Sequence, residues 1–360
     1  MIKKRNISIV IISIVAILVL LTCFTRTRQV EESLSPLQET GQIYLYGESH
    51  GVKKILDKEF ELWYDYYHTQ GMRHLFIEYP YYTAEFLNIW MQSDEDEILN
   101  ELYADWEGTQ AQVPEVKEFF EKIKMQCPET IFHGTDVGHQ YQTAGKRFLE
   151  YLKKNDLEDS AQYTLTLEAI EQGKDYYKGP DHVYRENKMT ENFIREFNSL
   201  SGENIMGIYG SAHTGIEAMD YSTQSIPCMA NQLKARYGDA LSTEDLSILS
   251  KDIDSYRTDT ININGKDYKA LYFGEQDITG FSKDYKSRAF WRLENAYTDF
   301  KNMPTKQNVL PYNNYPMLIE EEQVFIIEYT KEDNSVIREY HRSDGLIWND
   351  LPTTQEFTIE

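Results

Sequence analysis

Four short apolar runs, separated by helical patterns, constrain most strongly what this chain can fold into. They occupy residues 43–46, 74–77, 130–132 and 205–209. Between the first two runs, residues 56–67 place large apolar side chains at i, i+4, i+7 and i+11, which is one face of a helix. Strands that alternate with helices predict an α/β fold with a mainly parallel sheet and flanking helices.

Each apolar run ends next to side chains that can take up or release a proton. These are Glu48 and His50 after the first run, Glu78 after the second, Asp136 and His139 after the third, and His213 after the fourth. Because open α/β folds place their sites at the carboxyl edge of the sheet, we expect these side chains to converge there. Carboxylates and imidazoles suit acid–base catalysis on water, or a divalent metal. The alternative is that each carboxylate caps the following helix.

The spacing Gly-x-x-His occurs four times, and two of the four copies follow an apolar run. Those two copies are residues 47–50 and 210–213. The copy that ends at His74 begins a strand, which makes it a weak candidate. The copy that ends at His182 begins a helix that also carries Arg185, so His182 remains a secondary candidate.

Residues 47–51 also match Gly-x-Ser-x-Gly, the nucleophile elbow of α/β-hydrolases. Ser49, Asp136 and His213 follow the chain order of the triad in that fold, so a serine hydrolase is an alternative interpretation. Against it, the elbow would lie on the first strand of the domain. No His-Gly segment that could form an oxyanion hole precedes it in the sequence.

The first 40 residues predict attachment to a membrane. Residues 7–24 form an uncharged, mostly apolar run of 18 residues, about 27 Å long as a helix and close to a bilayer core. Basic residues precede this run, which favours an inside amino terminus. We therefore expect residues 1–28 to be a signal anchor with one transmembrane helix and residues 29–40 a tether, with the rest outside the cell membrane. A cleaved signal peptide and a lipoprotein site at Cys23 are the alternatives.

The part of the chain beyond the predicted anchor is strongly acidic. Five of the 36 basic residues lie at the anchor and all 59 acidic residues follow it, so the remainder has a formal net charge of −28. This charge argues against nucleic acid and anionic lipid surfaces as partners. Cys127 and Cys228 allow one disulfide, but the chain has no Cys-x-x-Cys pair for a thiolate zinc site.

The character of the sequence changes after about residue 255. Two hairpins are predicted, one over residues 258–273 around an Asn-Gly turn and one over residues 324–341. We therefore expect residues 41–254 to form an α/β hydrolase-like core and residues 255–360 a β-rich C-terminal extension.

The long polar helix predicted over residues 183–197 carries a spaced pattern, Arg-x-x-x-Met-x-x-Asn. Its members are Arg185, Met189 and Asn192. Together with residues 45–51, Glu78 and residues 210–213, this pattern resembles the superfamily of erythromycin esterases, ChaN-like haem-uptake proteins and TIKI/TraB proteins. The esterase branch reads close to Gly-Glu-x-x-His-Gly, and this chain has one residue fewer between Glu and His. The resemblance does not extend into the β-rich end.

The predicted anchor and the resemblance together imply a membrane-anchored extracellular hydrolase that cleaves an ester or peptide bond of a small molecule or peptide. It implies that His50 is a general base or metal ligand, that Glu48 and Glu78 orient it or bind the metal, and that His213 is a second base or ligand. Arg185 would stabilise oxyanion charge. A bound metal would be Mn²⁺, Co²⁺ or Zn²⁺, given the absence of suitable cysteines.

The branches of this superfamily differ in activity, so resemblance alone does not determine the reaction. A haem- or iron-binding surface protein of the ChaN-like type is the alternative from another class. A surface protein that is derived from an enzyme and has lost catalysis is a third interpretation. The sequence does not predict the oligomeric state.

Overall fold

The computed structural model describes residues 41–179, 181–280, 282–348 and 351–359. The predicted signal anchor, the tether and Cys23 lie outside the described residues. Within those ranges, none of the helices is both long and apolar enough to cross a membrane. The described chain divides into two compact units. The first contains the residues up to Gly51 and residues 59–245, and the second contains residues 52–58 and those from 246 onward.

A five-stranded parallel sheet forms the centre of the first unit. Its strands are β1 (Ile43–Glu48), β2 (His74–Pro80), β3 (Ile131–Asp136), β4 (Ile205–Gly210) and β5 (Leu241–Asp245). Their order is β3-β2-β4-β1-β5, and every neighbouring pair is parallel. The four predicted runs are the first four strands, so the predicted α/β class is confirmed. The edge strand β5 was not predicted, because only Leu241 of its five residues is buried.

Helices connect these strands along the chain. They are α1 (Lys53–Thr69), α2 (Tyr81–Met91), α3 (Glu97–Asp105), α4 (Pro114–Gln126), α5 (Lys146–Lys154), α6 (Ala161–Tyr176), α7 (His182–Ser199) and α8 (Met229–Tyr237). Local chemistry sets where several of them begin. Asp181 caps α7 by accepting the N–H of Tyr184 at 3.0 Å, and Pro114 opens α4 with a residue that has no N–H to satisfy.

Helix α7 carries the side chains that matter most for the site. Met189, Phe193 and Phe197 follow one another at intervals of four residues and join the core cluster that contains Ile43 of β1 and Ile205 of β4. Burial of this apolar stripe fixes the rotation of α7 about its axis. Arg185, four positions before Met189, therefore lies on the same face of α7.

The second unit is built on an eight-stranded sheet. Its strands are β6 (Arg257–Ile263), β7 (Lys266–Asp277), β8 (Ser287–Leu293), β9 (Thr305–Pro311), β10 (Val324–Thr330), β11 (Val336–Arg342), β12 (Ile347–Trp348) and β13 (Leu351–Phe357), with a short helix α9 (Tyr297–Phe300). Both predicted hairpins are present, and neighbouring strands are antiparallel. The first turns at Asn264 and Gly265, which both have positive φ. The predicted β-rich C-terminal region is therefore confirmed.

Two apolar clusters cover opposite faces of this second sheet. Along β10, Val324 and Ile326 join one cluster, while Phe325 and Ile327 join the other. This explains why β10 is apolar throughout rather than alternating. His341 lies fully buried in this unit, with Nδ1 3.2 Å from Thr354 Oγ1.

The two cysteines of the described chain do not pair. Cys127 and Cys228 are both buried and free, so the disulfide that the sequence allowed is not formed.

Candidate active site

His50 lies just beyond the end of β1 and is held by Glu48, the last residue of that strand. His50 Nδ1 is 2.7 Å from Glu48 Oε1, and His50 Nε2 is 3.9 Å from Glu78 Oε1. The His50 side chain is 36% exposed, whereas those of Glu48 and Glu78 are 11% and 7% exposed. The contact through Nδ1 leaves Nε2 as the nitrogen that can exchange a proton with an incoming molecule.

Glu78, on β2, is an ionised carboxylate at the centre of the site. Its Oε2 accepts the backbone N–H of Gly210 at 2.5 Å, and its Oε1 accepts a hydrogen bond from Arg185 Nη2. Burial alone would raise its pKa, but the positive charges of His213, Arg185 and His50 lower the pKa of Glu78 to about 2.

Arg185 on α7 binds two carboxylates from neighbouring strands. Besides Glu78, it contacts Asp136 at the end of β3, with Nε 3.0 Å from Oδ1 and Nη2 2.6 Å from Oδ2. Its Nη1 lies 3.3 Å from His213 Nε2. Although burial opposes ionisation of both groups, their attraction holds the pKa of Asp136 well below its usual range and raises that of Arg185. The guanidinium is therefore a fixed positive charge between β2 and β3.

His213, in the short 3₁₀ turn after β4, is oriented by a carboxylate that sequence reasoning missed. Its Nδ1 lies 2.5 Å from Glu186 Oε1, and Glu186 Oε2 accepts the N–H of Met229 at 2.7 Å. Both side chains are buried. Burial lowers the pKa of His213, but Glu78 and Glu186 outweigh that effect and raise it. The sequence offered one indication that Glu186 belongs to the site. It is adjacent to Arg185, on a helix that was expected to contribute side chains to the site.

The two Gly-x-x-His motifs fit into one another. A Cβ on Gly210 would lie 3.0 Å from His50 Nε2, and a Cβ on Gly47 would collide with Thr214 Oγ1. Strands β1 and β4 are neighbours, with Glu48 opposite Gly210 in the register. Gly210 therefore leaves room for His50 of the first motif, and Gly47 leaves room for Thr214, which directly follows the second motif.

The secondary candidates lie at the border of this group. His139 contacts Asp136 at 2.9 Å and the Tyr177 hydroxyl at 2.6 Å. His182 instead contacts the Tyr221 hydroxyl at 2.9 Å. Asp136 and His139 therefore belong to the central network, whereas His182 lies outside it.

A catalytic Ser–His–Asp arrangement is not formed in the described part of the chain. His213 Nδ1 is bound by Glu186 and its Nε2 faces Arg185. Asp136 contacts Arg185 and His139 rather than His213. Among the residues that the structure describes, Ser49 therefore has no hydrogen-bonded histidine that could act as its base.

The described residues give no support to the divalent metal that the sequence suggested. Among the residues that the structure describes, no group of three or more His, Cys, Asp or Glu side chains could hold a metal ion. Oxygens of Glu78 and Asp136 that could coordinate a metal are bound by Arg185. A guanidinium thus supplies the positive charge at the centre of the group.

Comparison with known proteins gives only distant structural similarity. No family model and no curated protein matches the sequence. Similar solved structures include a succinoglycan biosynthesis protein (TM-score 0.43, 15% identity, covering 59% of this chain and 68% of that chain). Another is an erythromycin esterase variant in its open conformation (TM-score 0.43, 12% identity, covering 64% of this chain and 74% of that chain). A third is a Bacillus cereus protein (TM-score 0.42, 11% identity, covering 90% of this chain and 87% of that chain). Similarity at this level assigns neither a family nor an activity to this chain.

Proposed function

We propose that this chain is a hydrolase that activates water with His50 and cleaves an ester or peptide bond. The observation that carries the proposal is the arrangement of His50. Glu48 holds its Nδ1 at 2.7 Å, while its partly exposed ring turns Nε2 toward the buried Glu78. A general base needs this combination of a fixed ring and an accessible nitrogen.

In the proposed reaction, His50 Nε2 accepts a proton from water as the water oxygen attacks the substrate carbonyl. The new C–O bond leaves negative charge on the carbonyl oxygen. When the scissile bond breaks, the leaving oxygen or nitrogen takes the proton from His50. The imidazole is thereby regenerated, so protons and charge balance over one turnover.

Arg185 has a mainly positioning role in this proposal. A guanidinium has five N–H groups, and the carboxylates of Glu78 and Asp136 accept three of them. The N–H groups of Nη1, which lies 3.3 Å from His213 Nε2, are the ones that would stabilise oxyanion charge, as the sequence suggested. The larger effect of Arg185 is to keep Glu78 and Asp136 ionised and fixed. The proposed reaction needs no metal ion.

The wider assignment of the chain is also proposed. Residues 1–28 would anchor it in the cell membrane, with the described residues outside, and its substrate would be a small molecule or a peptide. The acidic surface of the chain disfavours nucleic acid as a partner.

The test is hydrolysis of ester and peptide panels by the full-length chain and by its His50→Gln variant. We expect the variant to lose turnover by about 10²- to 10⁴-fold, the usual contribution of a general base. The matched control is His68→Gln, because His68 is exposed and its Nε2 contacts a backbone carbonyl, that of Gln126.

Two results would contradict the proposal. One is full turnover in the His50→Gln variant. The other is the absence of turnover on every panel together with a Soret band after haem titration, which would favour the haem-binding alternative. Elemental analysis of protein purified without a metal-affinity tag would show whether Mn, Co or Zn copurifies.

A further inference from the structure

Two histidines of the first unit contact each other outside the candidate active site. His74 opens β2 and His133 lies in β3. Their rings lie on the same face of the sheet, because Phe76, two residues after His74, is opposite His133 in the register. His74 Nδ1 is 3.0 Å from His133 Nε2, and His133 Nδ1 is 3.3 Å from Glu196 Oε2 of α7. The three titratable side chains therefore link β2, β3 and α7 in one continuous series of contacts.

Aromatic rings shield these contacts from water. The Phe76 ring stacks on the His133 ring with centroids 4.6 Å apart, and Phe193 of α7 packs on Phe76. The side chains of His133 and Glu196 are only 11% and 14% exposed, and His74 is partly buried. A ring that loses its partner here therefore loses a hydrogen bond that water does not fully replace.

Two ring nitrogens 3.0 Å apart have room for one proton between them. In the neutral pair, His74 Nδ1–H donates to His133 Nε2, and His133 Nδ1–H donates to Glu196. One extra proton is tolerated on His133, because that ring then donates to the carboxylate of Glu196 and to an unprotonated His74 Nδ1. A further proton, on His74, places N–H groups on both nitrogens of the contact, and the two charged rings repel one another.

We propose that His74, His133 and Glu196 form an acid-sensitive latch, which ties β2 and β3 to α7 and loses its central contact when both histidine rings are protonated. The latch adds a pH-dependent element to the fold, at residues to which the proposed reaction gives no role. The inference does not depend on the proposed hydrolase activity. Its consequence is that the first unit is less stable in mild acid than at neutral pH.

Titratable and charged groups on α2 and α7 also face the latch. On α7, Arg195 Nε is 3.7 Å from Glu196 Oε1. On α2, the charge of Glu196 acts on Tyr81 and Glu85. Burial is the main cause that raises the pKa of both groups, so Tyr81 stays a neutral phenol. Because the folded-state pKa of Glu85 is raised, its protonation in acid favours the folded state, which is opposite to the effect expected of His74.

The expected pH dependence follows from the number of protons that each state binds. Burial, and then the charge of His133, lower the pKa of His74 to about 4 from its ordinary value of 6.5. Below pH 6.5 the unfolded chain binds a proton at His74, whereas the folded chain binds it only near pH 4. The stability that the neutral ring contributes is therefore fully present above pH 6.5 and is lost as the pH falls towards 4.

The interval between pH 4.5 and pH 6.5 separates this effect from the ionisation of the candidate active site. The pKa values of Glu78 and Asp136 are lowered from 4.5 and 3.8, so their contributions to stability change below pH 4.5. Those of His50 and His213 are raised from 6.5, so their contributions change above pH 6.5. A loss of stability within the interval therefore indicates a histidine that stays neutral in the folded chain.

The first measurement is urea unfolding of the full-length protein at about pH 5 and about pH 7. We expect the wild type to have a lower urea midpoint at the lower pH. The difference should be clearly smaller in His74→Gln, which lacks a titratable ring but can still contact His133. The control is His68→Gln, an exposed histidine whose Nε2 contacts a backbone carbonyl, and it should keep the wild-type difference. A difference in His74→Gln as large as that of the wild type would overturn the proposal.

The second measurement is an NMR titration of His74 in the wild type and in His133→Gln. We expect a neutral His74 ring at about pH 5 in the wild type. In His133→Gln its pKa should rise towards 6.5, because the amide carries no charge and can accept from His74 Nδ1. A His74 that is protonated at pH 5 in the folded wild type, or an unchanged pKa in His133→Gln, would refute the latch. The wild-type spectrum decides the first point even if neither variant folds.

Discussion

Gly210 and His50 approach each other so closely that a side chain on Gly210 would press on the ring. A Cβ built on Gly210 lies 3.0 Å from His50 Nε2 and 3.3 Å from Glu78 Oε2. The N–H of Gly210 also donates to Glu78 Oε2. This glycine therefore fixes the carboxylate through its backbone and leaves the reactive face of His50 open through its lack of a side chain.

Gly210→Ala should reduce hydrolysis while leaving the fold largely intact. The added methyl group displaces His50 and Glu78 by a few tenths of an ångström, and a misplacement of about 1 Å can cost a factor of about 10² in rate. The measurement is kcat/KM together with the melting temperature. Gly179→Ala is the control, because a Cβ built on Gly179 would meet nothing within 4 Å among the described residues. Equal activity in both variants would argue against the close contact.

The pH dependence of hydrolysis should follow the ionisation of His50. Its folded-state pKa is about 9, against an ordinary value of 6.5. A base must be unprotonated, so kcat/KM is expected to rise with pH up to about 9. The stability of the fold has the opposite pH dependence. Protonated His50 stabilises the fold below pH 6.5, and this contribution is lost as the pH rises through about 9. A rate that is constant between about pH 6 and pH 9 would contradict the assignment.

The fold was largely predictable because its strands and helices follow strong local patterns. Runs such as residues 43–46 are apolar enough to indicate buried strands, and the two C-terminal hairpins carry turn residues with defined backbone geometry. Strand β5 and helices α2, α3 and α6 are among the elements that were missed. Only one of the five residues of β5 is buried, and α6 has exposed and buried residues without a clear apolar stripe.

The sequence predicted which strand ends contribute residues to the site, but not which of these side chains contact one another. Parallel strands place Glu48, Glu78 and Asp136 at one edge of the sheet whatever their partners are. The sequence does not show that Arg185 would lie between two carboxylates, because that depends on the rotation of α7. Glu186 was missed because a helical glutamate is usually exposed, and only packing shows that this one is buried.

Replacing Arg185 with methionine should strongly destabilise the first unit. The substitution leaves Glu78 and Asp136 buried without their shared cation, and breaking a buried ion pair on one side typically costs about 3 to 5 kcal/mol. Equilibrium unfolding in urea measures the change. The pKa of Glu78 should also rise from its value of about 2. The stability that its ionisation contributes above pH 4.5, lost in the native protein only as the pH falls through about 2, would then be lost at a higher pH.

The control for this experiment is Lys178→Met. Lys178 pairs with Asp175 at 2.5 Å, but its side chain is 76% exposed, and exposed ion pairs contribute little to stability. We expect no measurable change in its urea midpoint. If Arg185→Met shifted the midpoint no more than Lys178→Met, the buried network would not be a source of stability.

Glu186→Gln should act on His213 rather than on His50. Glu186 accepts hydrogen bonds at both oxygens, from His213 Nδ1 and from the N–H of Met229. An amide can replace only one of these acceptors, so His213 loses either its orientation or the negative charge that raises its pKa. An NMR titration should show the pKa of His213 lowered and that of His50 nearly unchanged. Glu191→Gln is the control, because Glu191 is on the same helix with its side chain 61% exposed. A shift of the His50 pKa as large as that of His213 would contradict this prediction, because it would show that the two histidines titrate as one coupled group.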